Sequence, residues 1–266
     1  MMGIGRMTMT SLVLSTLALA ALPASTRGDD NGLKAGKPEM KSIGVLAMGP
    51  KGVLLAADPQ GASIFAIEIA DKPAGNRSDH LKVEGLDGKI AALLGATARD
   101  ILINDIAVNP NGGDVYVSVS RGQGPNAQPA LARVDNAGRV ELVALDNVKF
   151  AKAELPSPPT GRGRQEAITD MAFVDGKVFV ACLSNEEFAS KFRAIPFPFT
   201  ELDAGTSAEI YHGSHGRFET ASPIRTFVPY TINGEPNLLA AYTCTPLVKF
   251  PVSDLRPGAK VRGTTI

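Results

Sequence analysis

Much familiar chemistry is missing from these 266 residues. No G-x-S-x-G turn raises a serine nucleophile, no glycine loop ending in Lys-Ser/Thr cradles phosphate, no C-x-x-C-H attaches haem, and no H-E-x-x-H presents two histidines from a helix. Serine-nucleophile, nucleotide and c-type haem chemistry are set aside. Lys plus Arg and Asp plus Glu both number 27, and no basic cluster stands out beyond Arg162 and Arg164, so the charge footprint of a nucleic-acid partner is absent. Cysteine occurs only at Cys182 and Cys244, and histidine only three times. Long apolar runs are lacking too: Leu12 to Leu22 is about a dozen residues, short of the roughly twenty that cross a bilayer.

That short run has its own meaning. Arg6 precedes it and Pro-Ala-Ser closes it near Ala24, the layout of a secretory signal over residues 1–25. The protein is expected to be exported, secreted or periplasmic, with no membrane span. Residues 26–41, TRGDDNGLKAGKPEMK, are polar and aperiodic and read as a flexible leader. The remainder is long enough for one large domain with its own core.

What the remainder contains is repetition. Four segments share an order, with boundaries near 42–102, 103–165, 168–219 and 222–266. In each, a short apolar strand meets a turn (GPKG, NPNGG, VDG, TINGEP) and continues into a strand such as VYVSVS or VFVACLS. A third strand (SIFAIEI, ALARVDN, KFRAIPF, PLVKFPV) and a weaker fourth complete the unit. Asn104-Asp105-Ile106-Ala107 parallels Thr169-Asp170-Met171-Ala172. The fold is therefore all-β. Four antiparallel strands per unit describe a β-propeller blade, and the alternative that the same strand spacing allows is a β-sandwich. With about four blades, a start on an inner strand and a stop on an outer one, an incomplete ring from a truncated chain is expected, with a four-bladed ring as runner-up. The run Gly88 to Ile101 has no counterpart in the other units and is expected to form a short helix between the first two blades.

Blade rhythm and the Asn-Asp-Ile-Ala-Val strand start at Asn104 resemble the broad superfamily of secreted bacterial propellers that includes NHL-repeat, gluconolactonase-like and paraoxonase-like proteins. The chain has no Trp, so it lacks the tryptophan-aspartate repeat signature. The resemblance implies a divalent cation, calcium or zinc, at the channel mouth, with Asn104, Asp105 and Asp170 at the corresponding strand starts. The first and fourth inner strands depart from it, opening with Ser42-Ile43 and Ile224-Arg225. The competing reading of each Asp is a tie to neighbouring backbone amides, with Arg225 neutralising the carboxylates without a metal.

One loop stands apart. YHGSHGRFET, Tyr211 to Thr220, sets His212 and His215 three apart with Glu219 four further on, donors that suit zinc. The plainer reading is a strand end followed by a polar turn. Cys182 and Cys244 end second strands of neighbouring units; export favours a disulfide and blade divergence opposes it, so both states stay open. Two functions follow. The leading one is an exported binding module that recognises a protein or small ligand through rim loops carrying Phe188, Arg217, Phe218 and ELPSPPTGRGRQ. The alternative is a metal-dependent lactonase- or esterase-like hydrolase, with Asn104, Asp105, Asp170 and Glu219 as metal ligands and His212 or His215 as general base.

Overall fold

The computed structural model describes Met1, 32–69, 81–200, 202–213, 215–243, Thr245 and 247–266. The chain divides into 1–30 and 31–266, and everything below concerns the second unit. Apart from Met1, the signal read at 1–25 lies outside the described residues, as do 26–31 of the leader.

Short strands dominate because β-branched and apolar runs are punctuated by residues that accept a left-handed backbone. Asp175 (φ 48°) and Gly176 (φ 76°) join Asp170–Val174 to Lys177–Leu183, and Asn233 (φ 51°) and Gly234 (φ 82°) join Thr226–Ile232 to Glu235–Ala241. Two successive positive φ values give a two-residue turn whose twist matches that of the flanking strands, and Asp, Asn and Gly carry that conformation at least cost.

Four antiparallel sheets result. The first runs Leu46–Met48, Val53–Asp58, Ser63–Glu68, Val148–Glu154 and Lys34–Gly36, from inner to outer edge. The second runs Ile101–Val108, Val115–Arg121, Gln128–Val134 and Val140–Leu142. The third comprises Asp170–Val174, Lys177–Leu183, Ser190–Pro196, Thr206–His212 and Arg217–Glu219, with Lys260–Arg262 parallel to Thr206–His212. The fourth comprises Thr226–Ile232, Glu235–Ala241, Val248–Pro251 and Thr264–Thr265.

The sheets stack face to face in the order second, first, third, fourth, and their inner strands lie side by side in that same order. This is the stacking of blades, not the two facing layers of a sandwich. Period-two alternation explains it. Val53, Leu55 and Ala57 pack on Val178, Val180 and Cys182 of the third sheet, while Leu54 and Ala56 pack on Tyr116 and Leu131 of the second. On the far side of the third sheet, Phe179 and Ala181 meet Phe227, Leu238, Ala240 and Phe250 of the fourth. A strand buried on both faces must be apolar at every position, as VLLAA and VFVAC are. Leu54 and Leu55 are wholly buried, each contributing about 1.5–3 kcal/mol of transfer free energy.

Three sequence expectations are revised. The first sheet takes its fourth strand from Val148–Glu154, inside the segment 103–165, so the second sheet and its helix are inserted between the third and fourth strands of the first. Strand-edge hydrogen bonding is non-local, and the Val-Lys-Phe-Ala-Lys-Ala alternation carries no mark of which edge it will complete. The helix forms at Leu86–Leu93, but on the outer face of the second sheet, where Ile90 covers Val117, Val119, Ala132 and Val134. The first sheet already has a sheet on each face, and the helix directly precedes the second sheet in the chain, so it covers that sheet's free face. Within the leader, Lys34–Gly36 pairs with Val148–Phe150 as an edge strand, and Lys37 bonds Asp146 at 2.7 Å. A segment without periodicity can still supply backbone donors and acceptors to an open edge.

Cys182 is a buried free thiol facing the first sheet, and burial pushes its pKa up. Its proposed partner Cys244 lies outside the described residues. Among the described residues no helix is long and apolar enough to cross a membrane.

Candidate functional site

The entries to the inner strands gather at one end of the stack and enclose a cleft of about 670 Å³. Its wall comes from 41–45 before the first inner strand, Ile101, Leu102 and Asn104 of the second, Ile168 and Thr169 before the third, and Arg225 before the fourth. Two loops between second and third strands complete it, through Pro59 and Gln60 and through 122–124 with Ala127. Of the residues expected at the rim, ELPSPPTGRGRQ takes part through Gln165, whereas Phe188, Arg217 and Phe218 do not line the cleft.

A β-bulge builds the most informative corner. The pairing of Ile101–Val108 with Val115–Arg121 jumps between Ile103 and Asp105, leaving Asn104 as the extra residue. In a regular strand Asn104 and Asp105 project to opposite faces; the bulge turns both toward the first sheet. Asn104 Nδ2 donates to the Ile43 carbonyl at 2.8 Å and to Ser120 Oγ at 3.0 Å, and Asp105 Oδ2 accepts the Leu46 N–H at 2.8 Å. A carboxylate reaching across to the neighbouring sheet recurs one pair of sheets away, there without a bulge. Asp170 Oδ2 accepts the Phe227 N–H and the Thr226 hydroxyl, both at 2.7 Å, and its Oδ1 accepts the Met171 N–H at 2.8 Å. Burial is the main influence on Asp170 and holds its pKa above the ordinary value, against the opposing pull of these three bonds; repulsion from Asp105 adds a smaller upward push.

Asp105 and Asp170 thus tie each sheet to the next, second to first and third to fourth. Neither lines the cleft, whereas Asn104 and Thr169 beside them do. Arg225 does not neutralise either carboxylate: it pairs with Glu166 at 2.7 Å and donates to Thr243 Oγ1 at 2.9 Å. The four residues read from sequence as metal ligands do not form one set, because Glu219 belongs to a different cluster.

That cluster sits on the outer hairpin of the third sheet, where Thr206–His212 turns into Arg217–Glu219. His212 Nδ1 lies 2.6 Å from Glu219 Oε2 and His215 Nδ1 lies 2.8 Å from Oε1, so one carboxylate holds two imidazoles whose ring centres are 4.1 Å apart. Ser222 Oγ donates to Oε2 at 2.7 Å and Arg217 Nε to Oε1 at 3.3 Å. These donors, His215 first and then His212 and Ser222, hold the Glu219 carboxyl well below the usual carboxylate range. His212 is buried and its Nε2 has no hydrogen-bond partner; His215 is half exposed. Among the described residues this is the single group of three or more His, Cys, Asp or Glu side chains whose ligating atoms fall within 4.8 Å of one another. It lines no part of the cleft.

Lys41, Gln60 and Glu166 of the cleft went unread in the sequence, and Gln123 and Gln165 were read only as members of rim loops. A signal was present for Glu166 and its neighbour Gln165. They sit in the connection leading into an inner strand, the same position that singled out Thr169 and Arg225, but their chemistry suggested neither metal nor catalysis.

No protein-family model matches the sequence, and no curated protein matches it. Among solved structures the chain is similar to an oxidoreductase (glucose dehydrogenase) from Thermus thermophilus, with 15% identity over 88% of this chain and 68% of that one and a TM-score of 0.30. It is similar also to virginiamycin B lyase from Staphylococcus aureus, at 11% identity over 85% and 73% of the two chains and a TM-score of 0.24. A third is the PQQ-bound aldose sugar dehydrogenase of Streptomyces coelicolor, at 14% identity over 80% and 65%, with a TM-score of 0.23. At such identities and scores they assign this chain neither a reaction nor a ligand.

Proposed function

We propose that this chain is an exported binding module whose cleft takes a small, uncharged, hydrogen-bonding ligand. One observation carries the reading: the composition of the cleft wall. Four residues with side-chain amides (Gln60, Asn104, Gln123, Gln165) and three with hydroxyls (Ser42, Ser120, Thr169) line a space of about 670 Å³; Asn104, Ser42 and Thr169 already donate to Ile43, Asp58 and Ala181, so the three glutamines carry the polar contacts offered to a ligand. Amides and hydroxyls both donate and accept, so they match ligand hydroxyl or amide groups that do the same. The acidic and basic members Glu166 and Arg225 neutralise each other, leaving Lys41 as the remaining charge among the described residues of the wall. Ile43, Val45, Ile101, Leu102 and Ile168 supply the apolar portion such pockets use for contact area. Among the described residues no histidine, cysteine or Asp lines the cleft. The lactonase- or esterase-like alternative needs Asp105 and Asp170 as metal ligands, and Asp105 already accepts a backbone N–H while Asp170 accepts a backbone N–H and a hydroxyl.

The test is calorimetric titration of the full chain with neutral monosaccharides, disaccharides and capped dipeptides, alongside their anionic counterparts. Saturable binding of a neutral compound, weakened about tenfold by Gln123→Leu and by Gln165→Leu, is the expected result, each lost hydrogen bond being worth about 1 kcal/mol or somewhat more. Preference for the anionic counterparts, or affinities indifferent to both substitutions, sinks the reading.

A further inference from the structure

We infer that the outer hairpin of the third sheet is a binding site for a borderline divalent cation of the zinc class, ligated by His212, His215 and Glu219. This site is separate from the cleft and does not depend on the function proposed for it.

Three observations lead there. Two imidazoles and one carboxylate converge with ligating atoms no more than 4.8 Å apart, although Glu219 lies on the strand that follows the turn. A polar turn that only needed a tie would spend one histidine on the carboxylate; here both Nδ1 atoms reach it, at 2.6 and 2.8 Å. And the buried His212 makes no hydrogen bond through Nε2 that would fix its tautomer, so the ring proton can reside there and leave the Nδ1 lone pair to a cation. The donor set chooses the ion. Imidazole nitrogen suits zinc and its neighbours, while calcium asks for an oxygen shell.

The hairpin can make the needed adjustment. Bonds of about 2.0–2.2 Å to nitrogen and oxygen at tetrahedral angles separate the donors by about 3.3 Å, which lies between the two His–Glu contacts of 2.6 and 2.8 Å and the 4.8 Å within which the whole set falls. His215 is flanked by Gly213 and Gly216, beside which a Cβ would meet nothing within 4 Å, so the turn has room to open. Ser222 Oγ, 2.7 Å from Glu219 Oε2, orients the carboxylate as a positioning residue. The half-exposed side of His215 leaves a fourth position to water. Arg217 opposes the ion, since its Nε sits 3.3 Å from Glu219 Oε1.

The full chain, treated with chelator and returned to chelator-free buffer, is titrated with zinc chloride and separately with calcium chloride by calorimetry. One zinc per chain is expected, with no calcium uptake over the same range. His215→Ala is expected to weaken zinc binding by roughly tenfold or more, since even an outer partner's loss reaches that scale. Arg217→Gln is expected to tighten it about threefold, the size of an exposed charge interaction. His212 is buried, so its variant risks folding; cobalt(II) absorption of the wild type against His215→Ala, each checked by circular dichroism, reads ligation directly. No zinc uptake by the wild type, equal affinity in His215→Ala, calcium binding as tight as zinc, or no tightening in Arg217→Gln each overturns the inference.

Discussion

The inner strands and the outer hairpin use carboxylates in opposite ways. Asp105 and Asp170 reach across to the next sheet and take backbone N–H groups that have no strand partner on that side. Glu219 stays within its own hairpin and takes side-chain donors, two imidazoles among them. A backbone donor cannot be exchanged for a ligand without separating sheets, whereas an imidazole can swap a proton for a cation. The residue types were alike in the two places; the partners decide which carboxylate joins sheets and which gathers imidazoles.

That contrast can be broken by measurement. The largest effect is expected for Asp170→Ala, which strands the Phe227 N–H and the Thr226 hydroxyl and should cost about 2–3 kcal/mol in urea unfolding with an unchanged slope. Asp105→Ala removes one inter-sheet bond and should cost about 1 kcal/mol. A larger loss at Asp105 than at Asp170 is incompatible with counting ties this way.

The pH dependence of stability should then separate the two kinds of carboxylate by sign. The folded pKa of Asp170 is raised, so its folded form holds the proton more tightly than the unfolded chain does, and its contribution falls as pH rises from the ordinary carboxylate range through the folded value. The folded pKa of Glu219 is lowered, so its contribution is full above the ordinary carboxylate range and is lost as pH falls through and below it. Stability curves of wild type minus Asp170→Asn and wild type minus Glu219→Gln, from about pH 3 to pH 6, should slope in opposite directions. Parallel slopes end the distinction. The smallest effect is expected for His215→Ala, within about 0.5 kcal/mol by urea unfolding, since the ring is half exposed.

Much of the fold was legible because local rules act locally. Two-residue turns at Asp175-Gly176 and Asn233-Gly234, strand alternation and the repeated Asn-Asp and Thr-Asp strand starts all follow from backbone preferences of neighbouring residues. The insertion of the second sheet into the first was not legible, since Val148–Glu154 could complete any open edge with the same hydrogen bonds. Nor was the bulge at Asn104, which aims two adjacent side chains at the same neighbour. His212, His215 and Glu219 were readable as donors by spacing, but their convergence on one carboxylate depends on the pairing of His212 with Arg217 and Tyr211 with Phe218 across the hairpin.

By itself the sequence determined an all-β chain of short antiparallel strands enough for about four sheets, for turn chemistry and period-two apolarity are written residue by residue. Tertiary structure alone decided the order second, first, third, fourth, the edge each outer strand completes, and the division of carboxylates between inter-sheet ties and a cluster with two histidines. Those outcomes depend on which backbone donors are left unpaired once the sheets have stacked, and that is a property of the assembled sheets and of no single segment.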